Sequence, residues 1–132
     1  LVGNGADNVL AAGSGNDTLI GGIGTDHLIG GAGADVFDFN DIGESAVGTS
    51  RDVIADFLGD TDKMNFSTID ADTSIDGNQA FSFIGSDAFN TIAGQLRFAD
   101  GLLQGDVNGD QIVDFEVAVI GVTTMTGNDF VL

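Results

Sequence analysis

The residues in this chain best suited to chemistry are aspartates that close glycine-rich turns at a fixed spacing. Gly21-Gly22-Ile23-Gly24-Thr25-Asp26-His27-Leu28-Ile29 is followed without a gap by Gly30-Gly31-Ala32-Gly33-Ala34-Asp35-Val36-Phe37-Asp38. Upstream, Ala12-Gly13-Ser14-Gly15-Asn16-Asp17-Thr18-Leu19-Ile20 fits the same template with Ala in place of the first Gly, so the register is continuous from Ala12 to Asp38. Val2-Gly3-Asn4-Gly5-Ala6-Asp7-Asn8-Val9-Leu10 reads as a fourth copy displaced by one inserted residue, with Asp7 ten rather than nine positions before Asp17. Glycine reaches positive φ without steric cost, so such a stretch curves tightly and turns its carbonyls inward, and the closing Asp adds carboxylate oxygens. The candidate ligands are Gly3, Gly5 and Asp7 in the first turn and Gly13, Gly15 and Asp17 in the second. Gly21, Gly22, Gly24 and Asp26 form the third set, and Gly30, Gly31, Gly33 and Asp35 the fourth.

All of these donors are hard oxygens. Ca²⁺ accepts 6–8 of them at variable angles, whereas Mg²⁺ demands octahedral geometry and zinc prefers His or Cys, so calcium is the expected occupant. The elements that must position the turns are short. The three residues after each Asp are too few for a helix but make a strand whose middle side chain points inward, a position read here as Val9, Leu19, Leu28 and Phe37. With strands alternating between two sheets, like-facing turns recur every second repeat. The turn of Asp7 is then expected to stack on that of Asp26 and the turn of Asp17 on that of Asp35, giving two shared sites. Three in-register copies and a fourth make simple hairpin turns a poor account of the pattern.

Composition agrees. The 132 residues suit one domain or two closely joined small ones, and 42% hydrophobic content is enough to bury a core. Three Lys and Arg against 21 Asp and Glu give a formal net charge of −18, which opposes compaction until cations neutralise part of it. The chain has no basic cluster, so nucleic acid and membrane surfaces are poor partners. There is no cysteine, so neither a disulfide framework nor a thiolate site is available. No apolar run approaches the ~20 residues of a spanning helix, and no signal-peptide pattern opens the chain. Leu1-Val2-Gly3, without Met, reads as a cut through a longer protein.

Composition changes between Asn40 and Ser50, after which apolar and polar residues alternate in short runs bounded by turn signals. Residues 1–40 are therefore assigned to the repeats and 41–132 to an antiparallel β region. Asp106-Val107-Asn108-Gly109-Asp110-Gln111-Ile112-Val113-Asp114 spaces oxygen side chains like the first half of an EF-hand loop. It carries Gln111 where the sharp-turn Gly belongs and Val117 where the bidentate Glu belongs. A hairpin turn between Leu102-Leu103 and Phe115–Val119 is preferred, with weak calcium binding as the minor alternative. His27 is alone of its kind and reads as an outward strand residue. Ser14 and Ser45 lie in turn or loop contexts without a nucleophile elbow, so no catalytic site is expected in this chain. The phenylalanines, including Phe57, Phe66, Phe81, Phe83, Phe98 and Phe115, fall in strand patterns and read as core.

The repeats resemble the RTX, or haemolysin-type, calcium-binding nonapeptides. The segments Asp52-Val53-Ile54-Ala55-Asp56-Phe57, Asp62-Lys63-Met64-Asn65-Phe66, Phe81-Ser82-Phe83-Ile84-Gly85, Gly94-Gln95-Leu96-Arg97-Phe98 and Asp129-Phe130-Val131-Leu132 are similar to the C-terminal domain of serralysin-type metalloproteases. The resemblance implies an all-β fold, a parallel β-roll with calcium between stacked turns followed by an antiparallel, β-sandwich-like cap. It implies further calcium ligands at Asp52 and Asp62, with an acidic group at Glu44. It implies a type I secretion exporter that engages Asp129, Phe130, Val131 and Leu132, an upstream catalytic domain, and calcium-triggered folding outside the cell. Similar tails on secreted lipases and alginate epimerases leave the parent enzyme open, and the epimerase likeness allows a polysaccharide-binding role.

Overall fold

The computed structural model describes all 132 residues as an all-β protein with three single-turn 3₁₀ segments. Eleven strands form two sheets: β1 Val9–Ser14, β2 Thr18–Leu19, β3 His27–Ala32, β4 Val36–Asp38, β5 Asp52–Ile54, β6 Lys63–Asn65, β7 Ser82–Phe83, β8 Gln95–Ala99, β9 Leu102–Asp106, β10 Phe115–Val119 and β11 Phe130–Val131. One sheet runs β1-β3-β5-β10-β9-β8-β7 and the other β11-β6-β4-β2. Consecutive repeats alternate between the sheets, and every pairing among β1, β3 and β5, and among β2, β4, β6 and β11, is parallel. This is a β-roll, as the nine-residue period requires: a six-residue turn reverses the chain, and three residues cross one sheet before the next turn.

The inward side chains align in two columns. Leu19, Phe37, Met64 and Phe130 are register partners along the smaller sheet, and Leu10, Leu28, Ile54 and Val119 along the larger. Leu19, Leu28 and Phe37 are buried as the alternation predicts. Val9 is not: it is 73% exposed, and its neighbour Leu10 faces Leu28. The reason is register. Val9 pairs with His27, eighteen residues on, so the first repeat contains no insertion and Asn8, nine residues before Asp17, stands where the closing Asp belongs.

The parallel ladders do not stop near residue 40. β5 adds to β3 and β6 to β4, and from the chain's end β10 joins β5 while β11 joins β6. The composition change between Asn40 and Ser50 marks the end of the nine-residue spacing, and the roll continues past it. Antiparallel pairing is confined to β8-β9-β10. Both parts share one core of 20 buried apolar residues, within which Phe66 lies 5.2 Å from Phe39 and 5.5 Å from Phe115, ring centre to ring centre. The expected hairpin between β9 and β10 is present.

Because Phe66 joins the roll to the antiparallel strands, Phe66→Ala should remove about 3–5 kcal/mol of stability. Urea unfolding in excess calcium should still show one transition for both parts. Two separated transitions in the wild-type protein would mean that the shared core does not couple them.

Candidate metal centres

Along one edge of the roll, turn 3–8 stacks on turn 21–26, which stacks on the segment from Glu44 to Asp52. Along the other edge, turn 12–17 stacks on turn 30–35 and then on turn 56–62. The levels are tied by one repeated bond. The Asp26 Oδ1 accepts the Asn8 N–H at 2.8 Å, and the Asp52 Oδ1 accepts the Asp26 N–H at 2.8 Å. On the second edge the Asp35 Oδ1 accepts the Asp17 N–H at 2.9 Å, and the Asp62 Oδ1 accepts the Asp35 N–H at 3.0 Å. Each carboxylate thus receives the amide of the corresponding residue one level earlier. The chain's last rung departs from this register: the buried Asp129, directly before β11, accepts the Asp60 N–H at 2.9 Å, while the Asp62 N–H goes to the Leu58 carbonyl.

The second oxygen of most of these carboxylates is the informative one. The Oδ2 atoms of Asp17, Asp26, Asp35 and Asp52 are buried and have no hydrogen-bond partner. Those of Asp26 and Asp35 are aimed into their own turns: a Cβ placed on Gly21 would lie 2.5 Å from the Asp26 Oδ2, and one on Gly30 would collide with the Asp35 Oδ2. Gly31 and Gly33 have φ of 98° and 142°, and a Cβ on either would run into the carbonyl oxygens of Gly13 and Gly15. Orphaned carboxylate oxygens and facing carbonyls are therefore packed together where a side chain cannot fit. Burying such oxygens unpaired costs several kcal/mol per charge.

No three His, Cys, Asp or Glu side chains converge on one point. A cation between levels would then be held by one or two carboxylates with backbone carbonyls, an all-oxygen set that fits a hard cation and not zinc. The residues fit the group that the sequence implies.

Electrostatics single out the first edge. Burial, together with the Asp26 and Glu44 carboxylates, pushes the Asp52 carboxyl up to about 7. Burial and the neighbouring Asp7 raise Asp26, and burial with Asp41, Asp38 and Asp26 raises Glu44. Asp26, Glu44 and Asp52 therefore form a patch whose negative charge is resisted. Nearby, burial would raise Glu116, but hydrogen bonds from Gln104, Arg51 and the Gly48 amide outweigh it and hold its carboxyl low.

The other sequence candidates sort by their partners. Asp62 lies on the second edge, but both its oxygens accept backbone N–H groups, from Asp35 and from Leu58 at 2.8 Å. Asp7 is exposed and accepts the Thr25 N–H, and Gly3 and Gly5 lie in a turn without a positive-φ residue. Two residues escaped the sequence reading. Asn8 was one step from the assigned Asp7, and strict nine-residue counting back from Asp17 finds it. Asp56 clamps the Gly30 and Gly31 amides at 2.9 and 2.8 Å, and no spacing signals it. In the loop 106–114, the Asp106 carboxylate accepts the amides of Asn108, Gly109 and Gln111, so it staples the hairpin loop. His27 is exposed.

Fold and turns together define a β-roll module of RTX-type repeats. The family model described as the peptidase M10 serralysin C terminal matches residues 2–132, and the chain belongs to that family. Among solved structures it is similar to the AlgE6R3 subunit of a mannuronan C5-epimerase from Azotobacter vinelandii, determined in solution. The TM-score is 0.60 at 26% identity, over 96% of this chain and 78% of that one. Comparison with curated protein sequences gives no match.

Asp52 sets a pH dependence. Its carboxyl rises from 3.8 to about 7 on folding, so between those values the folded form holds a proton that the unfolded form has lost. Stability in chelator then falls as pH rises through this window, by about 1.4 kcal/mol per pH unit. With divalent cations chelated, acidification from pH 8 to 5 should restore β-sheet circular dichroism. Asp52→Asn should show part of that recovery already at pH 8 and a flatter slope, and an Asp52→Asn profile identical to wild type would refute this account.

Proposed function

We propose that this chain is a calcium-binding module whose folding is driven by the ion, and that it forms the C-terminal part of a secreted protein with a serralysin-type metalloprotease domain upstream. The observation that carries the reading is the set of four buried carboxylate oxygens without partners, all belonging to residues that close or continue the stacked turns. A chain of net charge −18 cannot bring these groups together unaided. Calcium between levels neutralises them and completes the hydrogen-bond ladders, so binding energy becomes folding energy. Before export, at low calcium, mutual repulsion keeps the chain unfolded and fit to pass an exporter. Outside the cell, calcium closes the roll and gives the attached enzyme a rigid neighbour.

Type I export through Asp129, Phe130, Val131 and Leu132 belongs to the same proposal. In the folded chain Asp129 and Phe130 are buried, so an exporter has access to these residues only before folding. Within this reading the module itself binds and stabilises, and chemistry belongs to the upstream domain.

A second reading, binding of an acidic polysaccharide, is favoured by the likeness to an epimerase subunit. Arg97, Gln104 and Glu116 are successive register partners on the larger sheet, Arg51 pairs with Glu116, and Arg97 lies over the Phe89 ring at 5.8 Å. Both arginines of the chain thus lie on one polar row. A glycan microarray with and without calcium tests it, and binding that survives Arg97→Ala would remove this row from consideration.

Chelation should abolish the ordered β signal, and added calcium should restore it. By titration calorimetry, Asp26→Ala and Asp35→Ala should each weaken calcium binding at least about tenfold, as expected when ligand charge is lost from a cage. Asp70→Ala should have little effect, because Asp70 bonds only the amides of Asp72 and Gln79. Equal losses from all three would mean that bulk charge, not turn geometry, holds the metal. Deleting Asp129 to Leu132 from the parent protein should block secretion, and normal secretion without them would place the export signal elsewhere.

A further inference from the structure

We propose that turn 3–8 is a hydrogen-bonded end cap that takes no cation, so that the first edge holds its ion only at the inner level, between Asp26 and Asp52. The proposal rests on the calcium-binding reading above and assigns which levels of the roll the ion uses.

Three independent features set this turn apart. The first is backbone shape. In each of the other repeat turns the second and fourth positions are glycines in the left-handed region: Gly13 and Gly15 at φ 107° and 124°, Gly22 and Gly24 at 89° and 147°, Gly31 and Gly33 at 98° and 142°. Turn 3–8 has Asn4 and Ala6 there, and neither has positive φ. An L-residue with a Cβ is strained in that region, Ala more than Asn, so Ala6 holds the turn on a different backbone path, although the Asn4 and Ala6 carbonyls still face Gly22 and Gly24.

The second feature is charge. Asn8 occupies the place of Asp17, Asp26 and Asp35, and a neutral carboxamide replaces the carboxylate whose charge sets calcium affinity. The third is satisfaction. The Asn8 Oδ1 enters the turn toward Gly3, as the Asp26 Oδ2 does toward Gly21. There it accepts the Asn4 N–H at 2.8 Å, while the Asn4 Oδ1 accepts the Ala6 N–H at 3.0 Å. The buried carboxylate oxygens left without partners lie on Asp17, Asp26, Asp35 and Asp52, whereas the Asn8 Oδ1 in turn 3–8 is satisfied. Nearby, Asp7 is exposed and already accepts the Thr25 amide. The turn therefore closes through its own side chains, and its one carboxylate, Asp7, stays exposed at the surface rather than entering the turn. This is the arrangement expected of a capping repeat, which covers the stack without asking for a further neighbour.

Native mass spectrometry of the calcium-loaded chain tests this by counting bound ions, with titration calorimetry as a second count. Asp7→Ala and Asn8→Ala should keep the wild-type number of ions, whereas Asp35→Asn should lose at least one. The combined variant Asn4→Gly, Ala6→Gly and Asn8→Asp, which restores left-handed glycines and the carboxylate, should gain one ion. Loss of an ion in Asp7→Ala or Asn8→Ala, at unchanged circular dichroism, overturns the proposal. So does a folded combined variant without the extra ion; where that variant does not fold, the two alanine variants decide. An unchanged count in Asp35→Asn and Asp17→Asn would instead overturn the calcium-binding reading itself, and is thereby distinguishable.

Discussion

The bond from a carboxylate oxygen to the amide one level earlier is the constraint on which the rest of the roll depends. It recurs at a separation of eighteen residues for Asn8 with Asp26 and for Asp17 with Asp35, then at 26 for Asp26 with Asp52 and 27 for Asp35 with Asp62. The distance stays at 2.8 to 3.0 Å while the intervening chain lengthens. Only two things must be conserved for a level to be added: the acceptor that receives the preceding amide, and an apolar side chain just after it that enters the column. Asp52 with Ile54 and Asp62 with Met64 meet both conditions, and the last level keeps the column through Phe130 while Asp129 holds the Asp60 amide, which is why the roll outlives its repeat.

The same bond creates the electrostatic problem that a cation would relieve. At Asp26, Asp35 and Asp52 one oxygen is satisfied by an amide, so the group is drawn inside, and the other is carried in with it and meets no donor; the Asp17 Oδ2 is likewise buried without a partner. An unpaired buried charge costs more than one neutral hydrogen bond returns. The two inward columns cannot close without bringing these oxygens together, since Leu28 follows Asp26 by two residues and Phe37 follows Asp35 by two. Packing and charge neutralisation are therefore a single event. Proton uptake relieves part of the same conflict, which is the physical meaning of an Asp52 carboxyl raised to about 7.

How much of this could be read from the sequence depends on how local each signal is. The turns, their pairing every second repeat, the inward Leu19, Leu28 and Phe37 and the β9–β10 hairpin all follow from short-range periodicity, and the fold contains them. The first repeat was misaligned because Asp7 and Asn8 are adjacent, and residue identity drew the register toward the Asp. Counting by nine gives Asn8 and moves the inward position from Val9 to Leu10. The later levels were not legible as roll. Asp52 and Asp62 lie 26 and 27 residues from their partners, a spacing that no pattern announces, and resemblance alone marked them. Asp129 is further removed still, 69 residues from the amide it holds. The oxygen-rich loop 106–114 looked like half a cation site by spacing, yet its aspartate is consumed by amides of its own turn.

With Asp129 to Leu132 as the proposed export signal, two demands fall on the same atoms. In the folded chain the Asp129 carboxylate caps a 3₁₀ turn through the Thr126 amide and holds the Asp60 amide, while Phe130 completes the column of Leu19, Phe37 and Met64. An exporter that recognises the acidic residue and its apolar followers needs those groups exposed. The two uses are incompatible in one molecule at one moment, so their order is fixed by the state of the chain. In the proposed reading, carboxylate repulsion in the calcium-free chain keeps the roll open and the tail accessible, and calcium, by closing the stacked turns and their shared core, draws the tail into its place as the last level. The acidic charge of the repeats and the composition of the terminus then serve one sequence of events, in which the same step that gives the module its structure withdraws its proposed export signal.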